Sequence, residues 1–167
     1  MSGSKLDPSA AAGHNRLLVH ATAVALGPVA ALLRGPSGTG KSDLALRFLA
    51  ARDGWTAAAS LNSWPRRLVA DDQVWLTEDA GQLIASAPET IAGKLEVRGV
   101  GIVPVAAVAS AQVRLVVDLV ALGAVERLPD DAATITLLGC EVRRRALAAF
   151  EASAAEKLTL LLAEYLR

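Results

Sequence analysis

Residues Gly35 to Ser42 read GPSGTGKS and satisfy the pattern G-x-x-x-x-G-K-[ST]. The apolar run VAALL precedes it and the helix-forming run SDLALRFLAA follows, which supplies the strand–loop–helix context the pattern requires. The stretch predicts an α/β fold built around a phosphate-binding loop. Glycines let the backbone N–H groups of Gly35, Pro36, Ser37, Gly38, Thr39 and Gly40 (proline excepted) wrap a phosphate, and the following helix N-terminus adds positive potential. Lys41 is placed to reach the outer phosphates of a nucleotide, and the Ser42 hydroxyl to ligate Mg²⁺. Bound nucleotide is the firmest expectation, but such loops serve switches, motors and kinases alike.

Composition narrows the choice. The chain has 167 residues, enough for one domain with its own core. Seventeen basic and seventeen acidic residues cancel, so there is no electrostatic footprint for nucleic acid. The single cysteine, Cys140, cannot close an internal disulfide and reads as a small core residue of a cytoplasmic protein. Leu17 to Leu33 is long and apolar, but His20, Gly27 and Pro28 interrupt it and it runs straight into the loop. Two short strands, Leu17–Thr22 and Val29–Leu33, joined at LGP explain it better than a leader or a membrane span.

Further along, residues 1–15 read as a mobile tail and 16–167 as a single catalytic domain. A helix is expected over Ser42–Ala51, and Asp53–Pro65 reads as a surface excursion with its tryptophans packed down. RRLVADDQVWLTEDAGQLIASAP reads as a strand, a turn at EDAG and a second strand; QVRLVVDLV and ATITLLGCEV each read as one more. GKLEVRGVGIVPV is glycine-rich for an apolar stretch and is expected to include a functional loop. A last helix over Phe150–Leu166 would place Phe150, Ala154, Leu158, Leu161 and Tyr165 on one stripe.

A carboxylate must next manage a metal or a nucleophile. Asp118, at the end of VRLVVD, has the look of a metal-side aspartate after a buried strand. Asp71 and Asp72 compete: adjacent acids at a strand end project differently, so one can serve structure while the other faces the phosphate. N-K-x-D and D-x-x-G motifs of GTPase switches are absent, as are the H-R-D and D-F-G elements of eukaryotic-type protein kinases. A compact kinase or a nucleotide-sensing module remains.

GPSGTGKS, LVADD and LEVRGVGIVPV occur in that order, and together they resemble the catalytic domain of the bacterial HPr kinase/phosphorylase family. The resemblance covers nearly all of the chain after the tail. It implies a P-loop catalytic domain with a mixed sheet core and few helices. It also implies ATP- and Mg²⁺-dependent phosphorylation of a serine on an HPr-like phosphocarrier in phosphotransferase regulation, and hexameric association. Asp72 matches the family's proton acceptor, Lys41 and Ser42 its loop lysine and metal-binding serine, and His20 a histidine on the strand ahead of the loop. Glu96 matches a magnesium ligand, Arg98 lies in the same functional stretch, and Arg127 in VERLP matches an active-site arginine. Asp118 then belongs to an internal strand.

Three departures accompany the match. The amino-terminal domain of longer members has no counterpart in these residues, and Asp53–Pro65 exceeds the usual link between loop helix and ADD. Where the family carries an RPGRN-type segment supporting phosphorolysis, this chain has EVRRRALAAFEASAAEKL, so little reverse reaction is expected. A weakly catalytic nucleotide-sensing module is the alternative of a different class, and a small-molecule kinase is a third.

Overall fold

The computed structural model describes residues 15–51 and 64–166. The expected tail, apart from Asn15, and most of the Asp53–Pro65 excursion fall outside them. Among the described residues the elements are β1 (Arg16–His20), β2 (Thr22–Leu26), β3 (Val29–Arg34), α1 (Lys41–Ala50), β4 (Arg66–Ala70), β5 (Gln73–Asp79), β6 (Gln82–Ser86), β7 (Lys94–Val97), β8 (Gly101–Pro104), β9 (Ser110–Leu119), β10 (Thr134–Leu137), β11 (Cys140–Leu147) and α2 (Ala154–Ala163). Nine strands form one sheet with the order β1-β5-β6-β9-β3-β2-β4, to which β11 adds beside β9 and β10 beside β11. β7 and β8 pair with each other alone. This is the α/β architecture expected: a mixed sheet with few helices.

Three of the expected strands are in fact pairs. The stretch from Leu17 to Thr22 breaks at Ala21: β1 pairs with β5, whereas β2 turns back on β3 at Gly27. RRLVADDQVWL breaks at Asp71–Asp72, because Asp72 adopts φ 65°. The Gln73 N–H donates to the Asp71 carbonyl at 2.8 Å, closing a three-residue turn around it. ATITLLGCEV folds into β10 and β11 because Leu138 (φ 50°) and Gly139 (φ 80°) reverse the chain. The EDAG turn is where it was expected, with Ala80 and Gly81 both at positive φ, as a two-residue hairpin loop requires.

Both faces of the sheet are covered. Val24, Leu26, Ala31 and Leu33 pack on one side against Leu44, Ala45 and Phe48 of α1 and Leu158 and Leu162 of α2. Ala23, Ala25, Ala30 and Leu32 pack on the other, with Val74, Leu76 and Leu83. β9 serves both layers through a bulge. Ala30 pairs with Val113 but Ala31 with Leu115, so Arg114 is the extra residue. Odd positions therefore switch sides along β9, with Val113 in the second layer and Leu115 and Val117 in the first. Cys140 is buried in the second layer, as expected of a core residue, and burial pushes its thiol pKa up.

The last helix starts later than its pattern suggested. α2 begins at Ala154, and Phe150 lies ahead of it, 72% exposed, rather than on the buried stripe. Ala154 and Leu158 do face the core. A sharper constraint sits at the β2–β3 turn. Gly27 has φ +58°, and a β-carbon there would fall 2.4 Å from the Trp64 ring. Gly27→Ala is expected to cost about 2–3 kcal/mol from left-handed strain and displaced packing, read as a lowered midpoint in urea. An unchanged midpoint would show that Trp64 yields freely.

Candidate functional site

β3 delivers the chain to Gly35, and three glycines shape the loop that follows. Gly38 and Gly40 lie in the left-handed region, at φ 83° and 92°. A β-carbon on Gly38 would meet nothing within 4 Å, so that stretch of backbone is open to a ligand. At Gly40 one would fall 2.8 Å from the Ala149 side chain and 2.9 Å from the tip of the Phe150 ring. Gly40 caps α1, and the helix begins at Lys41 with its unpaired amides turned to the loop.

The Lys41 side chain lies along its own loop, donating to the carbonyls of Gly35 at 2.7 Å and Pro36 at 3.0 Å. Burial holds its pKa below the usual lysine range, and the nearby Asp72 and Asp71 carboxylates oppose that. The Ser42 hydroxyl donates to Asp71 Oδ1 at 2.8 Å.

Asp71 ties the site together. It is 4% exposed. Oδ1 also accepts from the Thr22 hydroxyl at 2.8 Å, and Oδ2 accepts from the Glu96 backbone N–H at 3.1 Å. One carboxylate therefore links the loop helix, β2 and β7. Asp72 points elsewhere: its side chain is 63% exposed and its Oδ1 lies 3.2 Å from His20 Nδ1. The same nitrogen is 3.0 Å from the Asp72 carbonyl, which can only accept, so Nδ1 is the ring's donor. The adjacent acids project differently, Asp71 into the fold and Asp72 toward solvent, as expected of neighbours at a strand end.

The glycine-rich stretch after Ile91 proves to be the β7–β8 hairpin. Alternation along β7 buries Leu95 completely and leaves Glu96 exposed, and the Val97 carbonyl accepts from Val100 across a turn holding Arg98 and Gly99 at φ 84°. A cleft of about 380 Å³ results, lined by His20, Thr22, Lys41, Ser42, Asp72, Glu96, Arg98 and loop residues Ser37, Gly38 and Gly40. Of the residues predicted for catalysis or metal binding, all but Arg127 converge there. Arg127 lines a separate cavity with Asp118, Arg144 and Arg145.

Both carboxylate oxygens of Asp118 are engaged by arginines. Arg34 donates to Oδ1 at 2.9 and 2.7 Å, and Arg144 binds Oδ2. It is an internal strand residue locked between two guanidinium groups. The sequence put Asp71 forward only as one of two adjacent candidate acids at a strand end, and the family resemblance passed it over for Asp72.

The donors suit a magnesium nucleotide. Among the described residues no three His, Cys, Asp or Glu side chains gather closely enough to hold a metal by themselves. Magnesium is usually held by one or two carboxylates with substrate phosphates and water, and a serine hydroxyl beside Glu96 and an acid pair fits that need. No helix among the described residues is long and apolar enough to cross a membrane.

Comparison with known proteins bears on family and fold. The family model described as HPr Serine kinase C-terminal domain matches residues 13–159. The chain is 40% identical over 101 residues to an HPr kinase/phosphorylase of Geobacillus sp. (strain WCH70), covering 60% of this chain and 26% of that one. It is 38% identical over 87 residues to the HPr kinase/phosphorylase of Clostridium tetani, covering 52% and 24%. The matched segment thus spans about a quarter of the curated relatives' length. The Hpr(Ser) kinase/phosphatase from Coxiella burnetii superposes with a TM-score of 0.69 over 89% of this chain and 95% of that chain, at 23% identity, a likeness of fold.

Proposed function

The chain belongs to the HPr serine kinase C-terminal domain family, and we propose that it transfers the γ-phosphoryl group of ATP to a serine of an HPr-like phosphocarrier. The observation that carries this reading is the single cleft shared by the phosphate loop, the exposed Asp72 carboxylate and Glu96.

A serine hydroxyl is a weak nucleophile, and a positioned carboxylate raises its reactivity by taking the proton. In this reading Asp72 accepts that proton as the serine oxygen–phosphorus bond forms and the bond to the ADP oxygen breaks. His20, donating from Nδ1, fixes the orientation of Asp72. The loop amides and Lys41 neutralise charge on the phosphates, and Arg98 at the cleft edge adds a second cation. Ser42 and Glu96 would hold Mg²⁺, which supplies further charge neutralisation on the transferring group. Asp71 keeps the Ser42 hydroxyl and the Glu96 backbone in register. Arg127 is assigned no part in this cleft.

Steady-state ADP release tests the reading. ADP should form with a phosphocarrier bearing its target serine and should stall when that serine is alanine. Release driven equally by small hydroxyl metabolites would point to a small-molecule kinase. ATP binding with no release under any acceptor would point to nucleotide sensing. With serine-phosphorylated carrier and inorganic phosphate, little pyrophosphate is expected, because β11 (CEVRRRAL) leads into AAFEAS rather than a proline- and glycine-bearing turn.

A further inference from the structure

β3, β9 and β11 run parallel side by side, so the loops at their carboxyl ends share one edge of the sheet. Ligands of open α/β sheets lie outside that edge. The first of these loops is the phosphate loop. The other two, entering at Val120 and Ala148, join Thr39 of the phosphate loop around a second cavity of about 360 Å³.

Phe150 is the wall common to this cavity and the catalytic cleft. Its ring lies against the Gly40 backbone, yet the residue is 72% exposed, an unusual state for a phenylalanine beside a phosphate loop. Leu122, which also lines the cavity, is 63% exposed. The segment bearing Phe150 is held firmly: Arg47 of α1 donates to the carbonyls of Ala149 and Glu151, and Lys157 pairs with the Glu151 carboxylate. A fixed, exposed aromatic ring in a largely apolar cavity adjoining a phosphate site suits a flat π-system tethered to phosphates.

We infer that the nucleotide base binds in this cavity, stacked on Phe150. The inference rests on the nucleotide reading of the cleft, and it assigns the base to the loops after β9 and β11. Stacking tolerates any base, so ATP and GTP should both depend on the ring.

Calorimetric titration of the whole chain with ATP, GTP and inorganic tripolyphosphate, each with Mg²⁺, separates the possibilities. Phe150→Ala is expected to weaken both nucleotides about 10- to 100-fold and to leave tripolyphosphate within about twofold. Phe150→Trp should restore nucleotide affinity. Ala121→Trp, which fills the cavity from the other loop, should impair the nucleotides alone. Equal loss of all three ligands in Phe150→Ala would make the ring a mere support for the phosphate loop. Unchanged nucleotide affinity would place the base elsewhere. Either result overturns the assignment while the nucleotide reading stands. A wild-type chain that binds none of the three ligands would sink both.

Discussion

Asp72→Asn is expected to slow phosphoryl transfer to the serine acceptor by about 10²- to 10⁴-fold, the usual worth of a general base. The change removes the basic oxygen and little else. Asparagine is nearly the same size, and with aspartate it is among the residues that best tolerate the φ of 65° found here. The Asp72 carbonyl that accepts from Ala21 N–H and faces His20 is untouched. Nucleotide affinity should therefore hold or tighten slightly, as one negative charge leaves the neighbourhood of Lys41. Single-turnover transfer and calorimetry on the same preparation distinguish the two effects. Full activity in this variant would mean that another group takes the proton.

Asp71→Ala should damage stability and activity together. It strands the Thr22 and Ser42 hydroxyls and the Glu96 N–H, three donors that now share one buried carboxylate. Hydrogen bonds to a charged acceptor contribute more than neutral ones, and relief of the buried charge offsets part of the loss. A net cost of about 3 kcal/mol follows. For a domain of this size that lowers Tm by about 6–12 °C. Transfer should fall by at least about 10²-fold even well below the new Tm, because Ser42 and the β7 backbone lose their common anchor. Thr22→Ala, which removes only one of the three bonds, should lower Tm without a comparable loss of rate. If Asp71→Ala melts like the wild type, the carboxylate is not the tie described.

How far the sequence reveals this molecule depends on whether the signal is local. The phosphate loop, α1 and the EDAG turn are readable because glycine placement and helical spacing act within a few residues. Strand ends were misplaced where a non-glycine residue takes positive φ: Leu138 carries no warning in its identity, and at Asp72 the tolerance of aspartate for that region is a weak signal inside an apolar run. The role of Asp118 was undecidable from its own strand, since Arg34 and Arg144 come from 84 and 26 residues away. Asp71 is the converse case, important through partners at Thr22, Ser42 and Glu96 that only folding assembles. Phe150 fits a helical stripe by spacing, but the chain continues through Ala148–Ser153 as turns before α2 starts, which frees the ring beside Gly40. Arg127 matches by motif and yet lines another cavity: the first residues after β9, Val120 to Leu122, lie beside Thr39 of the phosphate loop, but Val125 to Arg127 lie with Asp118, Arg144 and Arg145.

Intact-mass measurement of a purified HPr-like phosphocarrier after incubation with this chain, ATP and Mg²⁺ tests the central claim most directly. The account predicts one added phosphate, mapped to serine by fragmentation, formed by the wild type and nearly lost with Asp72→Asn. A carrier that stays unmodified while the wild-type chain demonstrably binds ATP would contradict it.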